Sequence, residues 1–431
     1  MKPANYDPIA FGANADGKTL STGAIQNAID ACASNGGGTV CFRKGSYLTG
    51  TICLRRGVTL QIDAGAVILG STNLADYPHN IPEYRSMNDE MQHITQSVIY
   101  AEKVDNIAIR GEGQINGQGA AFTLRLNEGE LIGRPFLIRM IECKGILIEG
   151  VTLRDSASWT QDYVACDNLT IRGVKVVGHV KRNNDGIDID GCQNVLISDV
   201  ETSTDDDGLC FKGCSSRPTK NVLVENCRFH SYCNSLKYGT DSQGGLEDVR
   251  IHNIELGCPS ADMPPKILGK QEGIAGIALE IVDGGTMRNV AIDHVKIRGT
   301  WAPIYLVLGD RGRHLKGNPK PSPGALRDVV ISNVQAEAAT NMGCPILGLP
   351  GHPIENLTLR GVKISFPGGG GQEDTVRRFE EKAGNYPGLF VSIPVRTSKQ
   401  NCDEKFKCCT TPTPAAMMAR RCFETSSGVP S

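Results

Sequence analysis

A short phrase, a turn residue followed by alternating apolar positions, recurs along this chain and restricts its fold more than any other feature. It begins at Asp105 (DNIAIRG), Lys144 (KGILIEGVTL), Asp167 (DNLTIRGVKV), Gln193 (QNVLISDV), Lys220 (KNVLVENCRF), Glu247 (EDVRIHNI), Arg288 (RNVAIDHVKI), Arg327 (RDVVISNV) and Glu355 (ENLTLRGVKI). Between Lys144 and Glu247 successive starts lie 23, 26, 27 and 27 residues apart, and the other intervals run from 28 to 41. A period of two inside each phrase marks a short strand with one buried face. One such strand cannot bury that face alone, but stacked copies can. Propeller blades need roughly 40–45 residues, and leucine-rich repeats need a regular leucine pattern, so neither fits. The expectation is an all-β parallel β-helix of about ten coils. Glycine is abundant, at 50 residues, and aromatics make up only 5%, which suits short strands and tight turns.

An open first coil would expose unpaired backbone and its apolar interior. The segment STGAIQNAIDACAS supplies a cover, with Thr22 as candidate cap and Ile25, Ile29 and Cys32 along one helical face. Past Phe366 the repeat stops: PGGGGQEDTVRR reads as a linker, and the last stretch has neither period. The expected organisation is a β-helix catalytic domain over 1–366 and a non-repeat, poorly ordered tail over 367–431.

A net charge of −2 argues against a general nucleic-acid binder or a basic membrane-surface protein. No run approaches the roughly 18–20 apolar residues of a membrane span. The opening MKPANYDPIAFGANADG has no apolar run suited to a signal peptide, so a cytoplasmic location is expected, or a secreted or periplasmic one if a leader was removed. Sixteen cysteines are spread along the chain without tight motifs and read as small buried thiols. The pair Cys408-Cys409 falls short of the four ligands of a zinc site.

Seven aspartates lie between Asn183 and Gly213, with Asp185, Asp188 and Asp190 in one knot and Asp205, Asp206 and Asp207 in another. Like charges raise one another's pKa, so such crowding gains nothing for folding. In a parallel β-helix the residue one coil later lies roughly 4.8 Å away. Setting Ile187 over Leu209 and Leu236 puts Asp185, Asp207 and Asn234 in one column, with Asp206 beside it, and Asp188, Cys210 and Lys237 in an outward column. Carboxylates so placed cannot all ionise freely at neutral pH. A protonated acid beside ionised ones is the equipment of glycosidic hydrolysis. A set of solvated turns or a calcium site would use the same residues.

At these residues the chain resembles the polygalacturonase family of glycoside hydrolases, glycoside hydrolase family 28. The likeness runs through FGANADGKTLSTGAIQNAIDAC, GGGTV, GSYLTGTICL, GVTLQIDAGAVILGS, GEGQINGQG, RPFLI and SASWT, roughly residues 8 to 365. Those enzymes are inverting pectin hydrolases folded as right-handed parallel β-helices. The family's Asn-x-Asp falls on Asn183-Asn184-Asp185 and its Asp-Asp pair on Asp206-Asp207. The resemblance implies that Asp206 is the general acid, that Asp185 and Asp207 activate water, and that Asp188 lines the cleft. It also implies a pectic poly- or oligosaccharide substrate and no cofactor or metal.

Two motifs depart from the family. Its Gly-His-Gly falls on CNSLKYGT, putting Asn234 at the histidine, and its Arg-Ile-Lys falls on GIALEIVDGG, putting Ala278 and Glu280 where cations are expected. A carboxylate at 280 would repel a galacturonate. Lys237 and Lys212 are therefore the candidate substrate-side cations, or else ion-pair partners that offset the aspartates. Trp159 is a candidate sugar wall or core aromatic. His179, Lys181 and Arg182 could edge the cleft. The inserts after Cys258 and Gly309, the latter with Arg311, Arg313 and His314, suit subsite loops. Three activities stay open: a galacturonan or rhamnogalacturonan hydrolase, a calcium-dependent β-helix lyase, and a non-catalytic carbohydrate-binding β-helix.

Overall fold

A computed structural model describes residues 5–87, 95–123, 125–127, 130–263, 269, 271–368 and 400–406. Its strands wind as a right-handed parallel β-helix with three faces. The nine repeats form the first face in a single register. Ile107, Ile146, Leu169, Val195, Val222, Val249, Val290, Val329 and Leu357 stack one above the next. Gly38–Phe42 and Val58–Ile62 precede them on the same face, so among the described residues it has eleven full rungs against about ten expected.

The second residue of the phrase explains why the turn recurs. Asn168, Asn194, Asn221, Asn289 and Asn356 all have φ between +50° and +59°, a left-handed conformation that asparagine tolerates better than most residues. Their amides bond along the stack: Asn194 Nδ2 donates to Asn168 Oδ1 at 3.1 Å and Asn221 Nδ2 to Asn194 Oδ1 at 2.7 Å. The apolar interior runs continuously from Ile25 in the helix to Val362 in the last coil.

The N-terminal helix is Thr22–Ser34, and it buries Ile25, Ala28, Ile29 and Cys32 against the first coil. The cap expectation is corrected by one position. Ser21 precedes the helix, without a side-chain cap bond, while the Thr22 hydroxyl accepts from Gly50 N at 2.8 Å and ties the helix to the winding. At the other end the chain adds one further strand. Gln400–Phe406 is an antiparallel strand on Glu355–Ser365, pairing Leu357 with Phe406 and Ile364 with Gln400. It covers a sheet edge that would otherwise offer unpaired backbone groups. Cys408 and Cys409 lie outside the described residues.

The third face positions the site. It comprises Ser97–Glu102, Phe136–Ile141, Gln161–Val164, Ile187–Asp190, Leu209–Gly213, Asn234–Ser242, Gly273–Ile281 and the end of Thr286–Leu308. Outward side chains on these strands are buried as well as inward ones. Two loops meet over them: Met87 and Leu315 pack on Cys214, and Arg85 donates to Lys316 O at 3.2 Å.

Candidate active site

Ile187, Leu209 and Leu236 are register partners, as are Asp188, Cys210 and Lys237, so the two aspartate columns read from the sequence are present. Gly186 N donates to Asp207 O and Gly208 N to Asn234 O, which carries the column through the bend. The glycines at 186 and 208 permit this closeness: a Cβ there would come within 2.5 Å and 2.7 Å of carbonyls on the next rung. Asp185, Asp206 and Asp207 thus project from adjacent rungs at the entry to the third face.

Their environments differ. Lys237 Nζ lies 2.8 Å from Asp207 Oδ2 and Asn234 Nδ2 donates to Asp207 Oδ1 at 2.7 Å. Burial works to raise the Asp207 pKa, but Lys237 and Lys212 outweigh it and hold the group below the usual carboxylate range. Among the described residues Asp206 has no ion-pair partner; Asn183 Nδ2 donates to its Oδ2 at 3.4 Å and Asp207 N to its Oδ1 at 3.0 Å. Burial first, then the charges of Asp185 and Asp207, push it up to about 7 against the pull of both lysines. Asp206 is half-buried, whereas Asp185 and Asp207 are buried. Burial also raises Asp185, assisted by Asp207 and opposed by Lys212, whose Nζ is 3.1 Å from Asp185 Oδ2 and from Asp188 Oδ1. The result is a half-buried, proton-holding carboxyl beside an ionised one, the division of labour that acid–base hydrolysis requires.

The five expected substrate-side residues lie beneath this surface. Asp188, Asn234, Lys237, Lys212 and Glu280 are each at most 6% exposed. Lys212 holds Asp185 and Asp188, and Lys237 holds Asp207, which favours the ion-pair reading over an open clamp. Glu280 is different: both its carboxylate oxygens lack partners among the described residues, and burial, opposed by Lys237, pushes it up to about 7. Trp159 is half-buried and engaged by the protein, with Phe136 stacked at 5.4 Å and Lys212 Nζ 4.2 Å from the ring centre. It supports Lys212 rather than forming a bare wall.

His179 is buried between Asp205 Oδ1 at 3.0 Å and Ser203 Oγ at 2.9 Å, clipping the Asp185 loop to the Asp206 turn. Arg311 bonds Asp283 and Asp241, and Arg313 bonds Asp241, so this loop is braced internally. Lys181 is half-buried and Arg182 exposed at the rim, and the His314 ring bonds the Gly312 carbonyl oxygen. In the other insert, Ser260 O and Met263 O accept from the Tyr232 hydroxyl, beside Cys233 and Asn234. Sequence reasoning missed the buried Arg139–Asp162 pair, the His179–Asp205 clip and Arg134. Arg134 opens the RPFLI stretch quoted above, and its role depends on a loop 48 residues away.

Among the described residues one group, Asp206, Asp207 and Cys233, brings three metal-capable atoms within 4.8 Å of one another. Two carboxylates and a thiol do not make the six to eight oxygens that calcium takes, and Lys237 already engages Asp207. The donor set does not fit calcium.

A family model described as glycosyl hydrolases family 28 matches residues 47–256. This chain belongs to that family. It is 28% identical over 379 residues to a probable polygalacturonase of Vitis vinifera, covering 83% of this chain and 73% of that one. It is 24% identical to an exo-poly-alpha-D-galacturonosidase of Dickeya chrysanthemi, over 80% of this chain but 64% of that relative's length, just under two thirds. The fold superposes on an exopolygalacturonase from Thermotoga maritima with a TM-score of 0.65 at 18% identity, covering 84% and 93% of the two chains. The family and these relatives mark the chain as a glycoside hydrolase.

Proposed function

We propose that this chain is an inverting hydrolase of galacturonic-acid-containing pectic polysaccharide or oligosaccharide. Asp206 protonates the leaving glycosidic oxygen, and Asp185 and Asp207 take the proton from the attacking water on the opposite face of the sugar. The observation that carries the reading is the split between neighbours, Asp206 raised to about 7 and Asp207 held low by Lys237. The names of the relatives support the substrate class. No step requires a metal; Lys237 and Lys212 keep Asp207 on the water-activating side charged. A cytoplasmic site of action is part of the proposal, supported by nine buried free thiols among the described residues; fractionation of the source cell tests it.

The test is the anomeric form of the first product from oligogalacturonate, followed by proton NMR before mutarotation. Inversion supports the reading. Retention, or an unsaturated product that needs calcium, refutes it. A second reading, hydrolysis of rhamnogalacturonan, is favoured by one observation: the buried, unpartnered Glu280 carboxylate near Lys237. Digesting both polymers in parallel separates the two.

A further inference from the structure

A uronate substrate brings its own carboxylate, and the cations that bear on the aspartates are nearly all committed. Lys237 is on Asp207 at 2.8 Å, and Lys212 is on Asp185 and Asp188 at 3.1 Å each. Arg139 is on Asp162 at 3.0 Å, Arg311 on Asp241 and Asp283, and Arg313 on Asp241 at 2.8 Å. Turning any of these to a substrate would strip a carboxylate of its partner, in most cases a buried one, at considerable cost.

Arg134 is a buried cation that makes no ion pair among the described residues. It is 7% exposed and sits just before the third-face strand Phe136–Ile141, where the loop carrying Asp185 crosses. Its Nη1 donates to Arg182 O and its Nη2 to Asn183 Oδ1 at 2.9 Å, while Nε has no partner among the described residues. A guanidinium has five N–H donors. Here its acceptors are a carbonyl and an amide oxygen, which orient the charge without neutralising it. Asp185 and Asp206 act on it electrostatically, but neither forms an ion pair with it. A buried cation with unused donors in a fixed fork is matched by a planar carboxylate.

We propose that Arg134 receives the carboxylate of the uronate bound across Asp185 and Asp206 and sets the preference for a charged sugar at that position. The inference rests on the galacturonan reading above. It assigns substrate recognition to a residue beside Asp185 and Asp206, while Glu280 stays buried beneath the surface.

The experiment compares kcat/KM for oligogalacturonate and for its carboxyl-reduced counterpart of equal length in wild type, R134Q and R134K. Wild type should favour the charged substrate. R134Q should lower that preference by about 100-fold and R134K by about 10-fold, the scale of one charged hydrogen-bonding contact. A residue that only braces the 182–184 loop would depress both substrates together and leave the ratio intact, which overturns the proposal. Where R134Q fails to fold, the ratio in R134K decides alone. A wild type inert on both substrates sinks the substrate reading itself, a different failure from an active enzyme whose preference ignores residue 134.

Discussion

The first and third faces of this helix are built from the same winding, yet they use charge in opposite ways. On and beside the first face, ion pairs such as Arg172–Glu149 and Arg228–Glu201 join neighbouring rungs in open water, each side chain a third to a half exposed. On the third face Arg139–Asp162, Lys212–Asp185 and Lys237–Asp207 join neighbouring rungs with almost no exposure. Exposed pairs of this kind contribute about 0–1 kcal/mol. Buried ones change what a carboxylate is, because desolvation and neighbouring charge move its proton affinity. The repeat supplies spacing everywhere; chemistry arises only where loops keep water from the outward side chains.

Four substitutions and one pH dependence press on that contrast. The largest effect is expected from Asp206→Asn, which removes the proton donor: kcat should fall by about 10²–10⁴-fold with KM little changed. A variant retaining wild-type turnover on its pectic substrate would place the acid elsewhere. Lys237→Met leaves Asp207 buried without its cation, and equilibrium denaturation at neutral pH should show a loss of about 3–5 kcal/mol. The matching exposed test beside the first face, Arg228→Met, should cost about 1 kcal/mol or less. Equal losses would erase the distinction between the faces.

The pH dependence follows from the Asp206 shift. Its folded pKa, about 7, lies above the ordinary aspartate value, so between roughly 4 and 7 the unfolded chain releases this proton first. Stability contributed by the protonated form is therefore present below pH 4 and is lost as pH rises toward 7. Activity that depends on the acid should fall as pH passes about 7. Asp206→Asn should flatten the Asp206 part of the stability curve, and an unchanged curve would count against the raised pKa. Asn194→Ala on the first face forces a left-handed φ of +58° on alanine and breaks two ladder bonds. It should cost about 1–2 kcal/mol in unfolding experiments and leave kcat untouched.

The same contrast explains what could be read in advance. Period-two alternation and repeat spacing place Ile187, Leu209 and Leu236 in register, and with them Asp185, Asp207 and Asn234, because strand geometry is local and repetitive. The burial of Lys212 and Lys237 was not legible. It depends on residues 77–87 and 309–324 folding over the third face, contacts that no repeat encodes. For the same reason Arg134 and the His179–Asp205 clip escaped notice, since each acts across a gap of 26 residues or more. The helix start was displaced by one residue because the Thr22 hydroxyl serves a tertiary bond to Gly50 instead of a cap. Within the tail, Gln400–Phe406 has no repeat to announce it; its role as a strand comes from the edge it covers.

The account stands most directly on the proton of Asp206, and carboxyl carbon-13 titration of the aspartates, assigned with Asp206→Asn, measures it. Asp206 should stay protonated in mildly acidic solution and titrate near 7, while Asp207 stays ionised to below the ordinary aspartate range. A spectrum in which Asp206 has already released its proton by about pH 4 would contradict the assignment of the acid.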